Sequence, residues 1–413
     1  MKFRRRRVGP FDTDRLRALG ARAGWLIETP EVLTVGFGRP VQRIALPEGL
    51  GASRVTSSRL AQHELTGDNG PPGSGVTAFA ALPFDRLRRG ELHVVQYTIT
   101  QWRNGDAWVT VADGARDPSE MVANTSVPSQ GVQVLQTVHY QPSPDEYAHH
   151  VAQAVEYLRR KEIDKVVLAR AVVGSVKEPI DPAAVAQRLR QREPLCTIYA
   201  MPTADNRRFV GATPELLVQR RGHTIICHPL AGTTALPNEA GSHDYETWLL
   251  GSAKNLHEHA VVVDDIVRTL SAWCDDINAD GEPSIVTLAT VAHLGSWIRA
   301  RVTGDGEGPD ALDFLRLLHP TAAVGGIPRD GADALIHLLE QHDRGHFAGP
   351  VGWVDSDGDG EWWVALRGVL LEDQRFEAWA GAGIVSESDP VAEREETRNK
   401  LAVVLSSILS EPI

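Results

Sequence analysis

Apolar and polar positions change their spacing near residue 135. Before it, short alternating runs dominate. Residues 33–37 and 43–46 have strand composition, and 67–76 form a turn-rich loop. Residues 94–102 and 107–111 flank Arg103-Asn104-Gly105-Asp106, and an Asn-Gly between two alternating runs predicts a hairpin. Residues 114–135 are polar and irregular and mark a soft boundary. Beyond them helical and strand periods alternate. A helix is predicted over 145–161, with Tyr147, Val151, Ala154, Val155 and Leu158 on one face. A strand at 165–169 follows, and Asp181-Pro182 opens a helix over 182–192. Strands are predicted at 197–201, 207–212, 215–220 and 224–228. A long helix from about Asp244 to Cys274 would bury Leu249, Leu256, Val263, Ile266 and Leu270. Residues 350–354 and 361–370 read as a hairpin, and Asp389-Pro390 opens the last helix.

This pattern predicts an α/β (α+β) class: mixed, mostly antiparallel sheets with helices packed outside. It reads as one large globular unit, with residues 1–135 its sheet-rich part and 136–413 the region that carries the chemistry. No G-x-G-x-x-G follows a strand and no P-loop occurs.

Composition narrows the function. The 413 residues carry a formal net charge of −12. So acidic a surface repels a phosphate backbone, which argues against a nucleic-acid partner. No apolar run reaches the ~18 residues of a membrane span, and the basic start MKFRRRR is followed by no apolar stretch, so it reads as a solvated tip and not a signal. Three cysteines without metal-type spacing suit a reducing compartment, and a cytoplasmic location is expected. Asp355, Asp357 and Asp359 imitate a calcium loop, but its twelfth position is Leu366, so an acidic hairpin tip is expected. His257-Glu258-His259 lacks the spacing of a helical zinc motif.

The remaining chemistry is dispersed. Lys165 fits either a solvated strand edge or a closed pocket where desolvation makes it a base. Glu215, after Thr213-Pro214, fits either a turn carboxylate or a proton donor with a raised pKa. Glu258 has Lys254 one turn earlier, the spacing of a surface ion pair. Glu393, Glu396 and Lys400 share one helix face, where acidic residues also complement the helix dipole. The run Ala380-Gly381-Ala382-Gly383 reads as a loop able to bring backbone N–H groups to an anion.

Taken in order, these segments resemble the chorismate-utilising enzymes, and within them the isochorismate synthases. The resemblance is carried by residues 164–170 (DKVVLAR), 213–217 (TPELL), 229–233 (PLAGT), 252–259 (SAKNLHEH), His293-Leu294, 318–326 (LHPTAAVGG), 347–352 (FAGPVG), 364–367 (VALR) and 380–400. It implies an anthranilate-synthase-like fold, a chorismate-binding region over 136–413, and conversion of chorismate to isochorismate. It further implies Lys165 as general base, Glu215 as general acid, and Glu258, Glu393 and Glu396 around Mg²⁺. Gly232, Thr233, Thr321, Ala323, Leu366, Arg367, Gly381 and Lys400 match substrate-holding positions. Chorismate is then the partner, and a monomer is the family expectation. Lys165 together with Ala231 resembles the water-using members, not the ammonia-using ones. A salicylate synthase, which goes on to eliminate pyruvate, is the alternative; a non-catalytic chorismate-binding relative is a more distant one. Two departures from the family pattern stand out: Thr234 to Asn238 replaces a run often rich in arginine, and Asn255 stands where an acid is common.

Overall fold

The computed structural model describes residues 1–46, 59–160, 163–203, 205, 207–236, 245–304 and 308–411. Its strands form two mostly antiparallel arms that meet at the paired strands Val32–Ala45 and Glu91–Trp102. One arm continues through Trp25–Glu28, Thr197–Pro202, Arg208–Thr213, Gly368–Glu372, Arg375–Ile384 and Lys165–Val176. The other continues through Thr77–Ala81, Pro350–Asp355, Gly360–Val364, Leu216–Arg221, Thr224–His228 and Ile298–Val302. A parallel ladder joins Lys2–Val8 to Glu64–Gly67. Strands from the first hundred residues therefore pair directly with strands after residue 197.

The chain crosses between the arms at Pro214-Glu215 and again at Ala365-Leu366-Arg367. The two corners are joined. Val364 N donates to Glu215 O at 3.1 Å, Thr213 Oγ1 to Val364 O at 2.6 Å, and Ala212 N to Arg367 O at 3.3 Å. Residues 361–370, expected as one strand, are thus two, because Arg367 adopts φ 48° and turns the chain into the other arm. Such a backbone is uncommon for a residue with a side chain and marks a constrained position.

Helices pack outside. The Asp181 side chain accepts from Ala183 N and starts the helix Pro182–Arg192, as the Asp-Pro pair predicts. Pro144–Arg159 buries the predicted face of Tyr147, Val151, Ala154, Val155 and Leu158, and Pro390–Leu405 begins after the cap Asp389. The predicted Asn-Gly hairpin forms between Glu91–Trp102 and Ala107–Ala112.

Other expectations change. Residues 33–37 and 43–45 belong to one strand, Val32–Ala45, with irregular pairing around Pro40, and Leu46 lies just beyond its end. The basic start has solvated arginines as expected, Arg6 and Arg7 forming exposed pairs with Asp117 and Asp106, but its backbone is the strand Lys2–Val8, with Phe3 buried. The long helix is two, Tyr245–Gly251 and Ala253–Leu270; Asp244 lies outside the described residues, and Cys274 begins a strand. The break follows from Ser252, whose extended backbone and side-chain bond from Asn255 N start a new helix. Val262, Ile266 and Leu270 are the buried stripe of that second helix, each side chain contributing about 1.5–3 kcal/mol by burial. The same stripe extends toward the helix start through Glu258 and Asn255, so polar groups there are carried into the interior.

Candidate active site

The stripe ends in a cleft at the two crossover corners. Glu215, Gly232, Thr233, Glu258, Ala323, Leu366, Arg367, Gly381, Glu396 and Lys400 line it. Lys165 lies just behind the wall, fully buried, with Nζ 3.0 Å from Glu258 Oε1. Glu393 is also buried, and Lys254 Nζ donates to it at 2.7 Å. The expected Lys254–Glu258 surface pair is therefore replaced by two cross-element pairs. Thr321 does not line the cleft. It is buried beneath the turn that presents Ala323, where its carbonyl accepts from Val324 N and Gly325 N.

The segment expected as a loop at 380–383 is the interior of the strand Arg375–Ile384, paired throughout with Lys165–Val176. Its glycines serve packing. A Cβ at Gly383 would collide with Glu258 Oε1 and come within 3.0 Å of Lys165 Cε. Gly383→Ala is expected to separate the Lys165–Glu258 pair and to reduce turnover by at least about ten-fold, with a far-ultraviolet spectrum unchanged. Wild-type turnover would show that the pair is not needed. Gly232 has φ 75° at a break in register between Ala231 and Thr233, which brings the Thr233 side chain against His293.

The carboxylates are set to opposite states. Burial raises the Glu215 carboxyl to about 8, although Lys165 and Lys400 oppose the rise. Burial also acts against ionised Glu258, but the adjacent Lys165, with Lys254 and Lys400, outweighs it and holds that pKa below the usual carboxylate value. One cleft thus holds a proton-bearing acid and an ionised carboxylate beside a lysine, the separation expected of acid–base partners. Burial first, and Glu396 second, raise Glu393.

Cations and donors face the same space. Lys400 Nζ donates to Gly381 O at 2.9 Å and to Glu396 at 2.7 Å. Arg367 Nη2 donates to His293 Nε2 at 2.9 Å. Arginine has no lone pair to accept with, so His293 must carry its proton on Nδ1. Burial, then Arg367 and Lys400, hold that imidazole neutral. His293 Nδ1 lies 3.0 Å from Thr233 Oγ1, which leaves the threonine hydroxyl proton available to an anion in the cleft.

The sequence reading assigns no role to His293, Arg344 or Trp379, all of which line the cleft. Arg344 is buried and donates to Val324 O and Val167 O at 2.9 and 2.7 Å, and pairs with Glu340. It ties the Ala323 turn to the Lys165 strand. No local pattern distinguishes Arg344 from a surface arginine; only its position just before the 347–352 segment hints at it.

Among the described residues no three His, Cys, Asp or Glu side chains converge as a ready-made metal cage. The oxygen donors Glu258, Glu393 and Glu396 nevertheless suit a hard cation that takes one or two carboxylates and otherwise water or ligand oxygens. Each of these carboxylates is paired with a lysine, Glu258 with Lys165, Glu393 with Lys254 and Glu396 with Lys400.

Comparisons with known proteins bear on the family and the fold. Residues 59–409 match the family model described as "Chorismate binding enzyme". The vibriobactin-specific isochorismate synthase of Vibrio cholerae is 36% identical over 267 residues, 64% of this chain and 67% of that protein. The isochorismate synthase EntC of Escherichia coli is 31% identical over 327 residues, 79% of each. In fold, the menaquinone-specific isochorismate synthase of Escherichia coli superposes with TM-score 0.81 at 24% identity, over 98% of this chain and 94% of that one. Anthranilate synthase component I of Streptococcus pneumoniae superposes with TM-score 0.74 at 20% identity, over 91% and 92%. The α+β class and the anthranilate-synthase-like fold are thereby met.

Proposed function

The chain belongs to the chorismate-binding enzyme family, and we propose that it acts there as an isochorismate synthase. The reading rests above all on Glu215, a buried acid with a pKa of about 8, in the same cleft as the Lys165–Glu258 pair. The relatives named isochorismate synthase support it.

Chorismate is a dianion, and in so acidic a protein it needs a local cluster of donors. Arg367, Lys400 and the Thr233 hydroxyl supply that cluster. Lys165 takes a proton from the water that bonds to ring carbon 2. Glu215 gives its proton to the hydroxyl leaving carbon 4, so water is consumed and released and the sum is an isomerisation. Mg²⁺ held by Glu258 and Glu393, with Glu396 nearby, would supply positive charge for a substrate carboxylate. Three buried, unpaired cysteines support a reducing, cytoplasmic setting. No helix among the described residues is long and apolar enough to cross a membrane.

Purified protein incubated with chorismate and Mg²⁺ is expected to yield isochorismate by chromatography, and chelation of divalent cations should stop it. Salicylate and pyruvate as main products would replace this reading with salicylate synthesis. Anthranilate formed only with ammonia would overturn it.

A further inference from the structure

Behind Arg367 lies a carboxylate that the reaction above does not use. Glu193 is 1% exposed, does not line the cleft, and sits at the C-terminal end of the helix Pro182–Arg192. Oε2 accepts from Ala289 N at 3.3 Å and from Cys196 Sγ at 3.8 Å. Oε1 has no hydrogen-bond partner and faces Arg367 Nη1 at 3.6 Å, an atom that itself has none. The other arm of the same guanidinium is held by His293.

We infer that Glu193 is a positioning residue for Arg367, holding the guanidinium at the cleft wall in the orientation that receives a substrate carboxylate. The inference deepens the proposed function and rests on it. A carboxylate 3.6 Å from the buried Nη1 orients the charge from behind, while Arg367 still lines the cleft where an anion would be received. Because Glu193 lies outside the cleft, its loss affects binding and not the proton transfers. His293 alone, a neutral acceptor, cannot orient the charge in the same way.

The test is Glu193→Gln, which keeps the size and the acceptor for Ala289 but removes the charge. Its KM for chorismate should rise about ten-fold, the scale of one charge-assisted contact, with kcat within about two-fold. A merely structural glutamate would act equally in any background. Combined with Arg367→Lys, Glu193→Gln should therefore add less than about two-fold to KM. Equal effects in both backgrounds, or a lowered melting temperature with unchanged KM, would overturn the inference. Titration calorimetry with chorismate separates the two readings. Wild-type binding unaffected by Glu193→Gln overturns the role of Glu193 alone. No wild-type binding overturns the site assignment as well.

Discussion

Lys165→Ala is expected to lower kcat by about 10³-fold while chorismate still binds, since a positioned base contributes about 10²–10⁴-fold. Arg367, Lys400 and Thr233, the groups proposed to hold the anion, still line the cleft. Stability will also fall. Lys165 is fully buried and Glu258 nearly so, and removing one partner of such a pair costs about 3–5 kcal/mol. Lys165→Arg separates the two effects. It restores a positive charge beside Glu258 but offers a guanidinium that does not give up its proton at working pH. Its melting temperature should recover part of the loss and its kcat should not. Near-wild-type turnover by Lys165→Arg would remove Lys165 as the base.

Glu215→Gln should cost about 10²–10³-fold in kcat and reshape the pH profile. A general acid works while protonated. With the Glu215 carboxyl at about 8, the wild-type rate should fall as pH rises through that value. The glutamine variant has no proton to lose there, so its residual rate should lack that alkaline limb. Linkage gives a second readout with its own sign. The folded pKa lies above the ordinary value of 4.5, so the native state keeps a proton that the unfolded chain has lost. The stability contributed by neutral Glu215 should decline as pH rises through that window, up to about 8. Glu215→Gln should flatten this slope in denaturant titrations. An alkaline limb that persists in Glu215→Gln would assign it to another group.

Much of the secondary structure was legible because local rules agree with the fold. Asp181-Pro182, Asp389-Pro390 and Asn104-Gly105 each act within one turn of chain, and each predicted boundary appears where its residues require. The misreadings share a cause. The Ser252 cap falls inside an apolar period that continues on both sides of it. The strand Arg375–Ile384 looks like a loop because its glycines answer to distant parts of the chain, Gly383 to Lys165 and Glu258, residues more than a hundred positions away. The break at Arg367 is invisible for the same reason, since its positive φ is held by the partner corner at Thr213-Pro214-Glu215.

The sequence by itself determined the class of fold, the helix starts and the family, because these follow from short-range periodicity, capping and a series of motifs in order. It also carried the residues that resemblance assigns to the chemistry. Only the tertiary structure decided how those residues are charged and paired. Lys254 has Glu258 one turn away in sequence, yet it reaches Glu393, and Glu258 takes Lys165 instead. Glu215 becomes an acid poised near pH 8, and Arg367 gains a counter-charge in Glu193. Protonation depends on desolvation and on charges within a few ångströms, and those neighbours are assembled from distant parts of the chain by the crossing of the two sheet arms.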